Sequence, residues 1–280
     1  MSTFTIDMSA PFGGKLACAA MNDLVKLERG TVPGVATIRI DRPKVNAIDA
    51  EVLAGILSAC EQLAGDTDIR AVVLTGGERN FAAGADITAF PGFDRDAALA
   101  FSRHFNQAAL ALEHLPQVTV SAINGFALGG GLELALATDF RIAATDARLG
   151  LPEILLGIIP GGGGTQRLSR LAGITLAKDL IYSGRHMGAD EALGARIVSS
   201  IHEPDRVQAA AVELAARYAA GPASLRIAKK VILAGYHEAL DDTVEIEAQG
   251  FADAFTTDDK VTGVASFMEH GPGKATFTGR

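Results

Sequence analysis

Two hydrophobic periods alternate along the chain, and that alternation limits the fold more than any other feature. Short runs rich in β-branched residues, "GVATIRI", "IRAVVLTG", "VTVSAING", "FRIAAT" and "ARIVSSI", are bounded by glycine, proline or acidic residues and read as strands. Helical stretches stand between them. "IDAEVLAGILSACEQLAGD" offers Asp49 as an N-cap and Gly65 just past its end, and residues 96–115 repeat apolar side chains at three- and four-residue steps. Strand, helix, strand predicts an α/β fold. Beyond about Pro204 strands cease, and helices are expected over 204–220, 223–234, 239–255 and 258–269. The expected organisation is a loose extension over 1–21, an α/β core over 22–203 and a helical region over 204–280. Apolar helix faces that a small subdomain cannot cover commonly cover a neighbouring subunit, so self-association is expected.

Composition narrows the function classes. The chain has 280 residues, 48% of them hydrophobic, which supports a sizeable core. No uncharged apolar run approaches the ~20 residues of a membrane helix, so no membrane association is expected. A formal net charge of −8 supplies no field for nucleic acid. Cys18 and Cys60 lack metal-type spacing and read as free thiols of a reducing, cytoplasmic setting, and the six histidines are scattered without ligand spacing. No metal is expected. The first twenty residues lack a basic segment leading into a clean apolar core, so no secretory signal is read there, and Met21 is an alternative start.

Three common catalytic signatures are missing: a G-x-S-x-G elbow, a G-x-x-x-x-G-K-[ST] phosphate loop and an H-E-x-x-H pair. The glycine runs do not complete a dinucleotide fingerprint either, since Gln166 occupies the third glycine place counted from Gly161. What remains is a pair of small-residue turns after strands, "RNFAAGADITAF" and "NGFALGGGLELALATD", and two carboxylates. Glycine in a helix costs roughly 1 kcal/mol relative to alanine, yet glycines 129–131 open the second stretch's helix. One explanation is tight strand-to-helix packing. The other is that backbone N–H groups there face a ligand carbonyl and form an oxyanion hole. Glu133 lies one turn past Gly130 on the same face, among Leu132, Leu134, Ala135 and Leu136, and Glu153 likewise sits in apolar sequence. Two desolvated, neighbouring carboxylates separate in titration and supply one acid and one base without a metal.

Six pieces, in order, carry a more specific signal: "RPKVNAI" (42–48), "FAAGADI" (81–87), "INGFALGGGLELALATDFRIA" (123–143), "LGLPEILLGIIPGGGGTQRL" (149–168), "SGR" (183–185) and "FTGR" (277–280). Together they resemble the crotonase, or enoyl-CoA hydratase/isomerase, superfamily from about residue 22 to the end. The resemblance implies a crotonase-like right-handed spiral of repeated strand-strand-helix (ββα) units, with the C-terminal helices building a homotrimer or a hexamer of two trimers. It implies an acyl-CoA thioester as substrate, with coenzyme A part of that substrate and no other cofactor. By motif position, the N–H groups of Ala85 and Gly130 correspond to the oxyanion hole, and Glu133 and Glu153 to the two catalytic glutamates of hydratases. Lys44, Val45, Ala47, Ala83, Asp86 and Ile87 correspond to CoA contacts, Gly129, Pro152 and Gly161 to the substrate pocket, and Lys274 and Phe277 to contributions from the tail. The glycine run 161–164 is expected to shape the acyl end. The implied activity is hydration of trans-2-enoyl-CoA; the alternatives are a Δ3-Δ2-enoyl-CoA isomerase or other acyl-CoA lyase of the same family, and a non-enzymatic CoA- or RNA-binding relative.

Overall fold

The computed structural model describes residues 23–236 and 238–280. The expected N-terminal extension, with Cys18, lies outside the described residues. The chain enters an antiparallel pair, β1 (Val25–Arg29) and β2 (Val35–Ile40), and crosses α1 (Ala50–Ala64) to β3 (Ala71–Thr75). Asp49 caps α1, its side chain accepting from the Val52 N–H at 2.9 Å. A 3₁₀ turn (Ile87–Gly92) and α2 (Arg95–Glu113) lead to β4 (Val118–Ile123), β5 (Phe126–Leu128) and α3 (Gly130–Leu136). Then come β6 (Phe140–Ala144), β7 (Arg148–Gly150), a second 3₁₀ turn (Pro152–Leu156), α4 (Gly164–Ala172) and α5 (Ile174–Ser183). β8 (Met187–Gly188), α6 (Ala189–Gly194) and β9 (Ser200–His202) precede four helices, α7 (Val207–Ala219), α8 (Ser224–Gly235), α9 (Leu240–Ala254) and α10 (Asp258–His270).

Two sheets result. The larger has the order β1-β2-β3-β4-β6-β9 and is parallel from β2 onward; the smaller has the order β5-β7-β8. All residues of β3 and β4 are buried, as central parallel strands covered on both faces require. Each turn of the chain repeats one step: a large-sheet strand, a short small-sheet segment, then a helix. β4, β5 and α3 make one such turn. β6 and β7 begin another, and after β3 the bridge between Ala82 and Ala127 takes the place of the short strand before α2.

The expected strand over 195–201 is reduced to Ser200–His202. The carbonyl of Ala192 accepts from the N–H groups of Ile197 and Val198, closing the end of α6 and keeping that segment out of the sheet. α7 packs across β2, β3, β4, β6 and β9 and buries Val207, Ala211, Ala215 and Ala219. Lys229 ties α8 to the core through Asp139 at 2.8 Å and the Gln117 carbonyl at 2.9 Å. The outer helices leave Phe251, Phe255, Val261, Val264, Phe267 and Met268 exposed. Among the described residues no helix is long and apolar enough to cross a membrane.

Candidate active site

The site grows from a pairing of two backbone segments. Ala82 accepts from the Leu128 N–H at 3.0 Å and donates to the Phe126 carbonyl at 2.9 Å, which fixes a parallel register of Ala82 with Ala127. Three residues past that bridge on each segment come Ala85 and Gly130, and both line the same cavity. Between them the backbone bends at Gly84 (φ +111°) and Gly129 (φ +50°), conformations that glycine adopts without strain.

Among the described residues, the N–H groups of Ala85 and Gly130 have no acceptor outside regular structure. Ala85 bridges Ile48, but the bonds come from its neighbours: the Ile48 N–H donates to the Gly84 carbonyl and the Asp86 N–H donates to the Ile48 carbonyl, both at 2.8 Å. The N–H of Ala85 therefore points the other way. Gly130 is the first residue of α3, where an amide has no acceptor within its helix. Its missing side chain is also a packing requirement, because a Cβ would stand 2.8 Å from Cε2 of Phe105.

Glu133, 3% exposed, extends from the first turn of α3 into the same region. Its Oε1 accepts from the N–H groups of Gly162 and Gly164, each at 2.8 Å. A Cβ on Gly162 would lie 2.3 Å from Phe105 Cδ1 and 2.8 Å from Glu133 Oε2, so only glycine allows this approach. Burial raises the Glu133 pKa, while the two amides and then the Arg167 charge oppose that rise. Glu153 comes from the second 3₁₀ turn, and its Oε1 lies on Gly129, 2.9 Å from where a Cβ would be. Its Oε2 is buried with no hydrogen-bond partner among the described residues. Burial, and then the Glu133 charge, push the Glu153 pKa up to about 7.

Both carboxylates and both N–H positions line one cavity of about 1020 Å³. Of the sequence-predicted residues, Val45, Ala47, Ala83, Ala85, Asp86, Ile87, Gly129, Gly130, Glu133, Pro152, Glu153 and Gly161 are brought together on its wall. Three of the expected residues stand apart from that wall. Lys44 is exposed beside Val45 and does not line the cavity. Lys274 and Phe277 do not reach it in this chain either, because the tail folds back onto α10: Asp259 accepts from the N–H groups of Thr278 and Gly279, both at 2.8 Å, and Phe277 lies against Gly263. Asp86 is on the wall with its carboxylate committed. Bonds from Thr88, and then from Arg42, hold its pKa down at about 2.

The aromatic wall escaped the sequence reading. Phe90, Phe93, Phe101 and Phe105 form a continuous aromatic face, with ring centroids 5.4 to 6.3 Å apart. Ser102 Oγ and Asn106 Nδ2 both donate to the Gly161 carbonyl at 2.7 Å and clamp the glycine turn to α2. The available signal was a polar pair at i and i+4 inside the apolar repeat of residues 96–115. The run 161–164 thus shapes the cavity and, through Gly162 and Gly164, also holds Glu133.

Two amides without an acceptor among the described residues, beside two carboxylates of raised pKa, can polarise a carbonyl and move protons at the carbons next to it. The chain matches the family model described as enoyl-CoA hydratase/isomerase over residues 30–280. It is 36% identical over 252 residues to a short-chain-enoyl-CoA hydratase of Clostridium acetobutylicum, covering 89% of this chain and 95% of the relative. It is also 36% identical to a crotonyl-CoA hydratase of Syntrophomonas wolfei, covering 84% and 92%. A crystal structure of an enoyl-CoA hydratase from Bacillus anthracis superposes with a TM-score of 0.86 at 35% identity, covering 92% of this chain and all of that one.

Proposed function

The chain belongs to the enoyl-CoA hydratase/isomerase family, and we propose that it is an enoyl-CoA hydratase that adds water reversibly, with syn geometry, to trans-2-enoyl-CoA. The observation that carries the reading is the convergence of Glu133 and Glu153 on the cavity that Ala85 and Gly130 line.

In the proposed reaction the thioester oxygen lies between the N–H groups of Ala85 and Gly130, which withdraw charge from the conjugated system and make C3 electrophilic. Water held between the carboxylates attacks C3 and gives a proton to Glu133. The C2–C3 π electrons move toward the thioester, and the resulting enolate charge sits on the oxygen facing the two amides. Protonated Glu153 then delivers its proton to C2, giving the 3-hydroxyacyl-CoA. Transfer of a proton from Glu133 to Glu153 restores the starting state. Every charge is handled by amides and carboxylates, so the reading requires no metal or redox cofactor; coenzyme A enters as part of the substrate.

Val45, Ala47, Ala83 and Ile87 form the entrance for the pantetheine arm in this reading. The exposed apolar side chains of α9 and α10 support a homotrimer or a hexamer of two trimers. We place the enzyme in the cytoplasm, where the buried Cys60 thiol, its pKa pushed up to about 12 by burial, stays inert. The test is hydration of crotonyl-CoA, read as loss of the conjugated enoyl absorbance. Glu133→Gln and Glu153→Gln should each lower kcat on the order of 10²- to 10⁴-fold. Wild-type turnover in either variant overturns the assignment.

A further inference from the structure

Glu133 is oriented by a glycine turn that is itself held from outside the cavity. Between the Gly162 and Gly164 N–H groups that donate to Glu133 lies the Gly162 carbonyl, which accepts from Arg167 Nη1 at 3.1 Å. Arg167, on α4, makes a two-point bond to Glu113 at the end of α2: Nε donates to Oε1 at 3.3 Å and Nη2 to Oε2 at 2.7 Å. The pair is largely withdrawn from solvent, the side chains being 13% and 25% exposed. Neither residue lines the cavity.

We propose that Arg167, braced by Glu113, is a positioning residue for the hydration reaction: it fixes the glycine turn that orients Glu133 and places a constant positive charge behind that carboxylate. The inference rests on the reading of Glu133 as the base. Arginine suits the task because one planar guanidinium makes a two-point bond to the Glu113 carboxylate and still reaches the Gly162 carbonyl, a rigid fork that an ammonium lacks. The charged groups facing Glu133 are Glu153 from the 152–156 turn and Arg167 from α4, with Glu113 of α2 behind Arg167. α2 otherwise presents the uncharged Phe105 ring, and the remaining partners are the Gly162 and Gly164 amides. Arg167 thus stands among the influences that hold the Glu133 proton affinity down against burial.

The two members of the pair give opposite signatures. Arg167→Met removes the positive charge and leaves Glu113 negative, so the acid limb of kcat moves to higher pH. Glu113→Gln still accepts from Arg167 but leaves its charge uncompensated, so the limb moves to lower pH. Arg167→Lys keeps the charge and lacks the fork, and should return the limb toward its wild-type place while kcat stays reduced. For Arg167→Met the kcat with crotonyl-CoA is expected to fall on the order of 10- to 100-fold, as a displaced catalytic group requires, with KM within about twofold.

Full-length wild type and the three variants would be assayed across pH. Infrared difference titration of the Glu133 carboxyl, assigned by the signal lost in Glu133→Gln, would follow the same group without turnover. Opposite displacements in Arg167→Met and Glu113→Gln support the proposal. Displacements in one direction, or none, overturn it even where kcat falls, since a mere structural brace would not separate the two. If Arg167→Met fails to fold, the Glu113→Gln titration decides alone. A wild-type enzyme that does not hydrate crotonyl-CoA overturns the hydratase reading instead, and the infrared titration still tests the network.

Discussion

Glu153 should make this protein less stable above neutral pH, and replacing it should reveal by how much. Its Oε2 is buried without a partner among the described residues, and burial pushes its pKa up to about 7 from an ordinary 4.5. For an acid raised on folding, the folded state binds more protons than the unfolded state between those two values. Stability therefore falls as pH rises through that window, and the deficit is complete above about 7. A rise of about 2.5 units at about 1.4 kcal/mol per unit gives roughly 3 kcal/mol, which the solvent reaching the cavity reduces to about 2 to 3 kcal/mol. Glu153→Gln keeps the shape and cannot ionise. The measurement is the melting temperature of both proteins by calorimetry at about pH 5 and about pH 8.5. Any pH-independent effect of the amide cancels in the difference of differences. The variant should gain roughly 4 to 12 °C relative to wild type on going from the lower to the higher pH, by the usual 2 to 4 °C per kcal/mol, while losing hydratase activity. An equal difference at both pH values would refute the reasoning, because it would mean that the carboxyl ionises as easily in the fold as out of it.

Gly130→Ala places a methyl 2.8 Å from Phe105 Cε2; it should cost about 1 to 3 kcal/mol in denaturant unfolding through overpacking and lower kcat, with Phe105→Leu in the same chain restoring much of the stability. Phe101→Ala opens the aromatic wall. Relative kcat/KM for 2-decenoyl-CoA over crotonyl-CoA should rise on the order of tenfold. Asp259→Ala removes the acceptor of the Ala223, Thr278 and Gly279 amides. It should cost on the order of 3 kcal/mol and expose residues 274–280 to limited proteolysis. Because those amides hold the Asp259 pKa below its ordinary 3.8, its contribution is present above that value and fades as pH falls below it.

The sequence showed most of what backbone chemistry decides. Glycines at 129–131 and small residues at 82–85 are conspicuous in apolar surroundings, and Glu133 and Glu153 are conspicuous because a carboxylate is costly there, so all of them could be found by their departure from an ordinary helix or strand. Residues that look ordinary in place stayed hidden. Arg167 and Glu113 each read as a solvated helix charge until α4 and α2 are brought side by side, and Phe101 and Phe105 read as core because their spacing is that of any buried helix face. The packing of the tail stayed hidden for a related reason: nothing local in "FTGR" shows that Asp259, nearly twenty residues earlier, captures the amides of Thr278 and Gly279 and draws the tail back onto α10.

The pairing of Ala82 with Ala127 divides the cavity into two kinds of material. Ala85 and Gly130 stand on segments one ladder spacing apart, about 4.8 Å where they are still paired. That spacing is a constant of peptide geometry, and neither residue has more than a methyl to alter it. The separation of the segments that carry the two amides is therefore set by backbone pairing rather than by side-chain volume. The aromatic wall from Phe90 to Phe101 consists of side chains on a short turn and one helix face, where a change of volume alters the space without touching that pairing; Phe105 differs, because it packs on Gly130 and Gly162. Chain-length preference can accordingly be redesigned on the aromatic side, while the thioester end behaves as a fixed gauge.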